Sequence, residues 1–365
     1  MKIVRVLLSA SAICAFVLTT FGASSLSADE MKLKSAGPIA FGPNGLLLVS
    51  DPMEAKIYAI ETGDTEGSTD GVTIEIDDLR SKIASMMGAK PEQIRINDLA
   101  VNPINGRPYL SVTRGSGADE VSVILSVDPK SKEMSVFDMA SKKSTHTLLP
   151  NPVASKQSRR GNQRLQAITD MAFIDNQIYV AGLSNEEFAS NLRAINYPFK
   201  DTNDGASIEI YHGAHGKFET RAPIRTFAAM EIEDEVNLLA AYTCTPLVRI
   251  PLGQLKPKAK VKGTTIAELG NWNRPLDMVV YKKDDKNYAL MANSHRGVMK
   301  IDLSKAGSQA AITEPVKKGG IEGVKYETVK DLKNVVQLDG LSKTHGVVLI
   351  RSEDGKESLK TIALP

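Results

Sequence analysis

Cysteine is nearly absent from this chain of 365 residues: there are two, Cys14 and Cys244, alongside a single tryptophan. Cys14 lies in an apolar N-terminal run expected to be removed, so Cys244 remains alone and no internal disulfide can form. Phe, Trp and Tyr make up 5% of the residues, which argues against a carbohydrate-stacking groove. Beyond residue 30 no apolar run approaches the ~18 residues of a spanning helix. A Gly-rich phosphate loop, a CxxCH haem attachment and a GxSxG nucleophile elbow are all missing. An excess of charge is missing too. The chain has 45 Lys and Arg against 43 Asp and Glu; removing the first 28 residues takes away Lys2 and Arg5 and no acid, leaving 43 of each. A balanced surface has no long-range attraction for nucleic acid or anionic lipid, so neither is an expected partner.

Two cations, an apolar stretch from Val6 to Phe21 and small residues before Asp29 form a secretory signal peptide, residues 1–28, cleaved between Ala23 and Ala28. Residues 29–365 are then expected to be one exported domain, periplasmic or secreted, with no membrane insertion.

Internal repetition dominates the remainder. A short apolar strand, a polar turn, a second apolar strand, another turn and a Val/Ile/Leu-rich third strand recur six times, starting at Pro38, Asn97, Thr169, Arg225, Leu276 and Val335. A meander of three or four strands has two apolar faces and cannot bury both alone. Radial stacking of such sheets buries them, which predicts an all-β fold, a six-bladed β-propeller. A seventh blade has room in 142–164 or 306–332. Fourth strands are expected at 72–76, 134–139, 207–212 and 264–269. The last copy has no room for one, and Met31–Ala36 is placed to close the ring. Short helical insertions are expected at Asp77–Gly88, with Leu79, Ile83 and Met86 on one face behind a capping aspartate, and as one turn near Ser184.

In such a fold the entry to each inner strand and the turn after the second strand share one face. Asp98, Asp170 and Asp277 begin inner strands at one register, and Arg114, Cys244, Asn293, His295 and Arg296 lie in second-strand turns. Trp272 stands just before an inner strand, able to stack a ligand or to plug the channel. These residues are the predicted channel-face binding site. The three aspartates have two readings: ligands of Ca²⁺ or another divalent metal, or caps accepting backbone N–H bonds. Cys244 and His295 align in neighbouring repeats, but packed sheets ~10 Å apart keep them from sharing one metal. His212 and His215 offer only half of a metal site.

The first repeat, SAGPIAFGPNGLLLVSDPMEAKIYAI, resembles the opening of the regucalcin and gluconolactonase family, six-bladed calcium-dependent lactonases, and also YVTN- and NHL-type propellers. Gly37 and Pro38 match, and Asp51 falls at the end of the second strand. The metal-ligating glutamate of that family is replaced by Ala36, so the resemblance implies the fold and not the metal. The expected function is an exported propeller that binds a partner protein or small molecule on its channel face, rather than an enzyme. The alternatives are a divalent-metal-dependent hydrolase or lactonase built on Asp98, Asp170 and Asp277, and the propeller subunit of a periplasmic redox complex.

Overall fold

The computed structural model describes residues 31–159, 161–244 and 246–365; the segment read as a signal peptide, with Cys14, lies outside them. The chain is a six-bladed β-propeller. The blades are numbered here in chain order, and their inner strands are Ile39–Phe41, Ile94–Val101, Asp170–Ile174, Thr226–Ile232, Pro275–Lys283 and Val335–Gly340. Each is followed by two antiparallel strands, the second strand of every blade being mostly buried. Alternating β-branched and aliphatic residues make that possible: with side chains pointing to both faces, each sheet contributes to the apolar layers on either side of it. Ile57 and Tyr58 of blade 1 show this, since Ile57 packs toward blade 3 and Tyr58 toward blade 2.

The order of blades around the ring differs from the order in the chain. Inner strands touch in the sequence blade 3, 4, 5, 6, 2, 1 and back to 3, and the apolar layers repeat that order. After three strands of blade 1 the chain leaves to lay Glu75–Ile76 on the outer edge of blade 6, beside Leu359 and Lys360. It then builds blade 2 and only afterwards returns with Ser144–Leu148 as the fourth strand of blade 1. Two expectations are corrected here. The segment at 72–76 completes blade 6 rather than blade 1, and Met31–Ala36 is not a strand. Met31, Leu33 and Ala36 instead bury their apolar side chains in the seam between blades 1 and 2, because the edge of blade 6 that they would have closed is taken by Glu75–Ile76. The stretches 142–164 and 306–332 supply fourth strands, Ser144–Leu148 and Tyr326–Thr328, and no seventh blade is formed among the described residues.

The helix Leu79–Met86 buries Leu79, Ile83 and Ala84 between blades 2 and 6, whereas Met86 is exposed. Asp78 precedes it in a left-handed conformation with no side-chain cap bond, so the expected aspartate cap is not formed. Around Ser184 the strand pattern prevails: Ser190–Asn196 is extended, with Leu192 and Ile195 each in a seam between blades, and no helical turn precedes it. No helix among the described residues is long and apolar enough to cross a membrane.

Candidate functional site

Pairing register fixes which groups meet at the channel. Asp98 lies opposite Ser111, at the middle of its strand, and Asp170 opposite Ala181 and Asp277 opposite Ala292, near the downstream ends of theirs. Each carboxylate reaches sideways to the next blade. Asp98 Oδ2 accepts the Ile39 N–H at 2.7 Å, Asp170 Oδ2 that of Phe227 at 2.7 Å, and Asp277 Oδ2 that of Leu338 at 2.8 Å. Asp170 and Asp277 also take the N–H of the residue after them on Oδ1, at 2.7 and 2.8 Å.

A fourth member was not anticipated. Gln337 occupies the equivalent position in blade 6, but Asp339, two residues further on, accepts Val101 N–H on Oδ2 and Gly340 N–H on Oδ1, both at 2.7 Å. Because strand side chains repeat every two residues, Asp339 points to the same face as Gln337, one step deeper. That period was the available signal; the repeat alignment compared only equivalent positions. The carboxylates latch four of six seams: 3 to 4, 5 to 6, 6 to 2 and 2 to 1. Turn capping, one of the two sequence readings, thus takes the form of a bond between blades.

The same four groups line a cavity of about 400 Å³ along the channel. Its lining continues from the aspartates along the inner strands to Phe41, Val101, Phe173 and Val280, whose side chains also pack in the seams between blades. No Lys, Arg or His lines it. Burial raises every one of the four carboxyls: Asp170 is pushed up to about 7 and Asp339 to about 6, with Asp98 and Asp277 well above the usual carboxylate range. Mutual repulsion adds to burial, from Asp170 on Asp98 and from Asp98 on Asp277. The backbone bonds pull the other way and do not win.

The remaining predicted residues do not line this cavity. Arg114 Nη1 donates to the Met87 carbonyl. Cys244 is half-buried in a left-handed turn, and its N–H donates to the Asn273 carbonyl at 2.8 Å. Asn273, 5% exposed and missed in the sequence, joins two of the predicted turns. Its Oδ1 accepts from Asn293 Nδ2 at 2.9 Å, and Asn293 Oδ1 in turn holds the N–H groups of His295 and Arg296. Arg296 Nη2 donates to the Asn271 carbonyl at 3.0 Å, and His295 Nδ1 meets the Ser294 hydroxyl. These bonds shape loops. Trp272 is 83% exposed and plugs nothing, so Trp272→Ala is expected to change unfolding free energy by less than about 0.5 kcal/mol in denaturant titration. Asp51, the residue carrying the family resemblance, is fully buried and accepts from Lys34 N, Ser35 N, Ser35 Oγ and Glu54 N. It is a structural turn anchor.

Among the described residues, three or more ligating side chains come close enough together to hold one metal only at His212, His215 and Glu219, and the three predicted aspartates do not form such a group.

No protein-family model and no curated protein matches the sequence. Solved structures do match by shape. The PQQ-bound aldose sugar dehydrogenase of Streptomyces coelicolor aligns over 90% of this chain and 94% of its own at 12% identity and a TM-score of 0.36. A chain of the mitotic checkpoint complex aligns over 98% and 100% at 9% and 0.37. An engineered GH43 glycoside hydrolase aligns over 75% of this chain and 51% of its own at 12% and 0.39. At these identities and TM-scores nothing about activity is carried over from an oxidoreductase, a complex subunit or a hydrolase to this chain.

Proposed function

We propose that this is an exported binding propeller that takes a small organic cation into its channel. The observation that carries the reading is a cavity lined by four carboxyl groups and by uncharged residues, with no cationic side chain in its lining. A carboxylate offers about four acceptor sites, and the backbone latches use two of those on Asp170, Asp277 and Asp339. The free lone pairs suit an ammonium head, while Phe41, Phe173 and Val280 suit its hydrocarbon body. A cation also relieves the repulsion among the aspartates, which a neutral ligand cannot do. Export rests on the N-terminal pattern alone and is tested by N-terminal sequencing of secreted or periplasmic protein, with a start between residues 24 and 29 expected.

Hexylammonium and hexanol, of equal length and different charge, test the channel reading by thermal shift and calorimetry. Hexylammonium is expected to raise the melting temperature in a concentration-dependent way and hexanol not to. Its affinity should increase from pH 5 to pH 8 as the carboxyls ionise, and should fall at least tenfold in Asp277→Asn. A response to Ca²⁺ with none to the amine would overturn the organic-cation reading in favour of a divalent-ion site.

A further inference from the structure

Far from the channel, the outer hairpin of blade 3, formed by Ala206–His212 and Lys217–Glu219, carries a second constellation. A one-turn 3-10 helix, Gly213–His215, closes it, and Gly216 takes the left-handed conformation (φ 63°) that reverses the chain. This tight turn brings the two imidazoles together, tilted by 39° with ring centroids 3.8 Å apart, and points both Nδ1 atoms at one carboxylate. His212 Nδ1 lies 3.0 Å from Glu219 Oε2, and His215 Nδ1 lies 2.7 Å from Glu219 Oε1. The ligating atoms of all three residues fall within 4.8 Å of one another.

We infer that His212, His215 and Glu219 form a binding site for a divalent transition ion of the zinc class. Two imidazole nitrogens and one carboxylate oxygen are a donor set that suits zinc and not Ca²⁺, which takes oxygens. In a tetrahedral site with bonds of 2.0–2.1 Å, neighbouring donors stand about 3.3 Å apart. The present spacings need to open by only a few tenths of an ångström, and His215 and Glu219 are accessible enough to move. Three protein ligands leave a fourth position for water.

A second observation points the same way. His212 is 2% exposed and its Nε2 is buried with no partner. Glu268 of blade 4, 1% exposed, takes the Gly213 N–H on Oε1 at 2.6 Å and leaves Oε2 buried and unpartnered as well. His212 therefore has an uncommitted ring nitrogen to offer an ion, and a buried nitrogen left without a partner is costly. Lys217 Nζ, 3.9 Å from Glu219 Oε1, is a cation set against the ion. It is well exposed and free to swing away. A bound ion here would fasten the outer hairpin of blade 3 beside blade 4, independently of anything in the channel.

The test uses protein carrying no histidine tag, with Co²⁺ as a visible probe and Zn²⁺ as its competitor. One Co²⁺ per chain is expected, with the intense d–d absorption of a four- or five-coordinate site, displaced by one Zn²⁺. His215→Ala and Glu219→Gln, which alter accessible side chains, are expected to weaken binding at least a hundredfold, while His295→Ala leaves it unchanged. Retained native circular dichroism in those variants separates loss of the site from loss of the fold. Absence of stoichiometric Co²⁺ in the unaltered protein, or equal binding by His215→Ala, would overturn the assignment.

Discussion

Between pH 4.5 and pH 8 the melting temperature is expected to fall by on the order of 10 °C, the reverse of ordinary acid denaturation. The four channel carboxyls are held above the usual range in the folded state, so at intermediate pH the folded protein binds protons that the unfolded chain has already released. Stability is then greatest below the unfolded value near 4 and declines as pH rises through the folded values, about 6 for Asp339 and about 7 for Asp170. Glu268, raised to about 7 by burial, acts in the same direction. Glu219 and Asp354, both held near 2, contribute in the opposite sense, but their contribution is complete above about 4.5 and lies outside this window. One pKa unit corresponds to about 1.4 kcal/mol, so Asp170 alone is worth on the order of 2–4 kcal/mol across the range once its cavity-facing side is allowed for. Asp170→Asn and Asp277→Asn are expected to flatten the profile: each loses a backbone bond at pH 5, costing about 1 kcal/mol, and escapes the ionisation penalty at pH 8. An unchanged slope in both variants would show that the carboxyls do not control it. A cation in the channel should flatten the profile of the unaltered protein in the same way.

Replacing Glu357 by Ala is expected to cost about 3 kcal/mol and to loosen ring closure. Glu357 is fully buried at the start of the last strand of blade 6 and receives two arginines. Arg80 binds it through two nitrogens, at 2.7 and 3.1 Å, and Arg351 donates to Oε1 from Nε at 2.8 Å. Arg80 belongs to the helix that follows Glu75–Ile76, so this ion group fastens the closing strand and its helix to blade 6. Removing one partner of a buried pair costs about 3–5 kcal/mol; the low end applies because both arginines retain contact with solvent. Arg351→Ala, on the more exposed side, should cost under about 1 kcal/mol. Urea unfolding measures the difference, and faster proteolysis in 62–73 should accompany Glu357→Ala alone. Equal losses in the two variants would mean that the group does not hold the closure.

The blades themselves were legible because each copy carries the same two-residue alternation, and all six inner strands begin within three residues of a repeat start. The helix at Leu79 was legible from its spacing. Ring order was not, since strands such as Ser144–Leu148 and Glu75–Ile76 pair with partners far away in the chain, and nothing local to a five-residue strand names the edge it will join. The channel aspartates stood out at one shared register, whereas Asp339 was hidden by its two-residue offset. Grouping those aspartates with Cys244, Trp272 and Asn293 followed from propeller connectivity, which locates an end of the channel but not the cavity within it. Asn273 has no periodic signal at all, because a loop asparagine becomes a bridge only when two turns from different repeats converge on it.

The displaced strands also bear on the order in which the molecule can be made. Blade 1 leaves synthesis with the outer edge of its third strand unpaired until residues 144–148 emerge, and Glu75–Ile76 has no partner until the final strand, Glu357–Ala363, is complete. The ring therefore cannot seal on a growing chain, and its most distant contacts form last, which favours slow folding. Under the export proposed here, late closure is an advantage wherever the chain crosses the membrane before folding: the sequence stays open for as long as any part of it remains to be delivered.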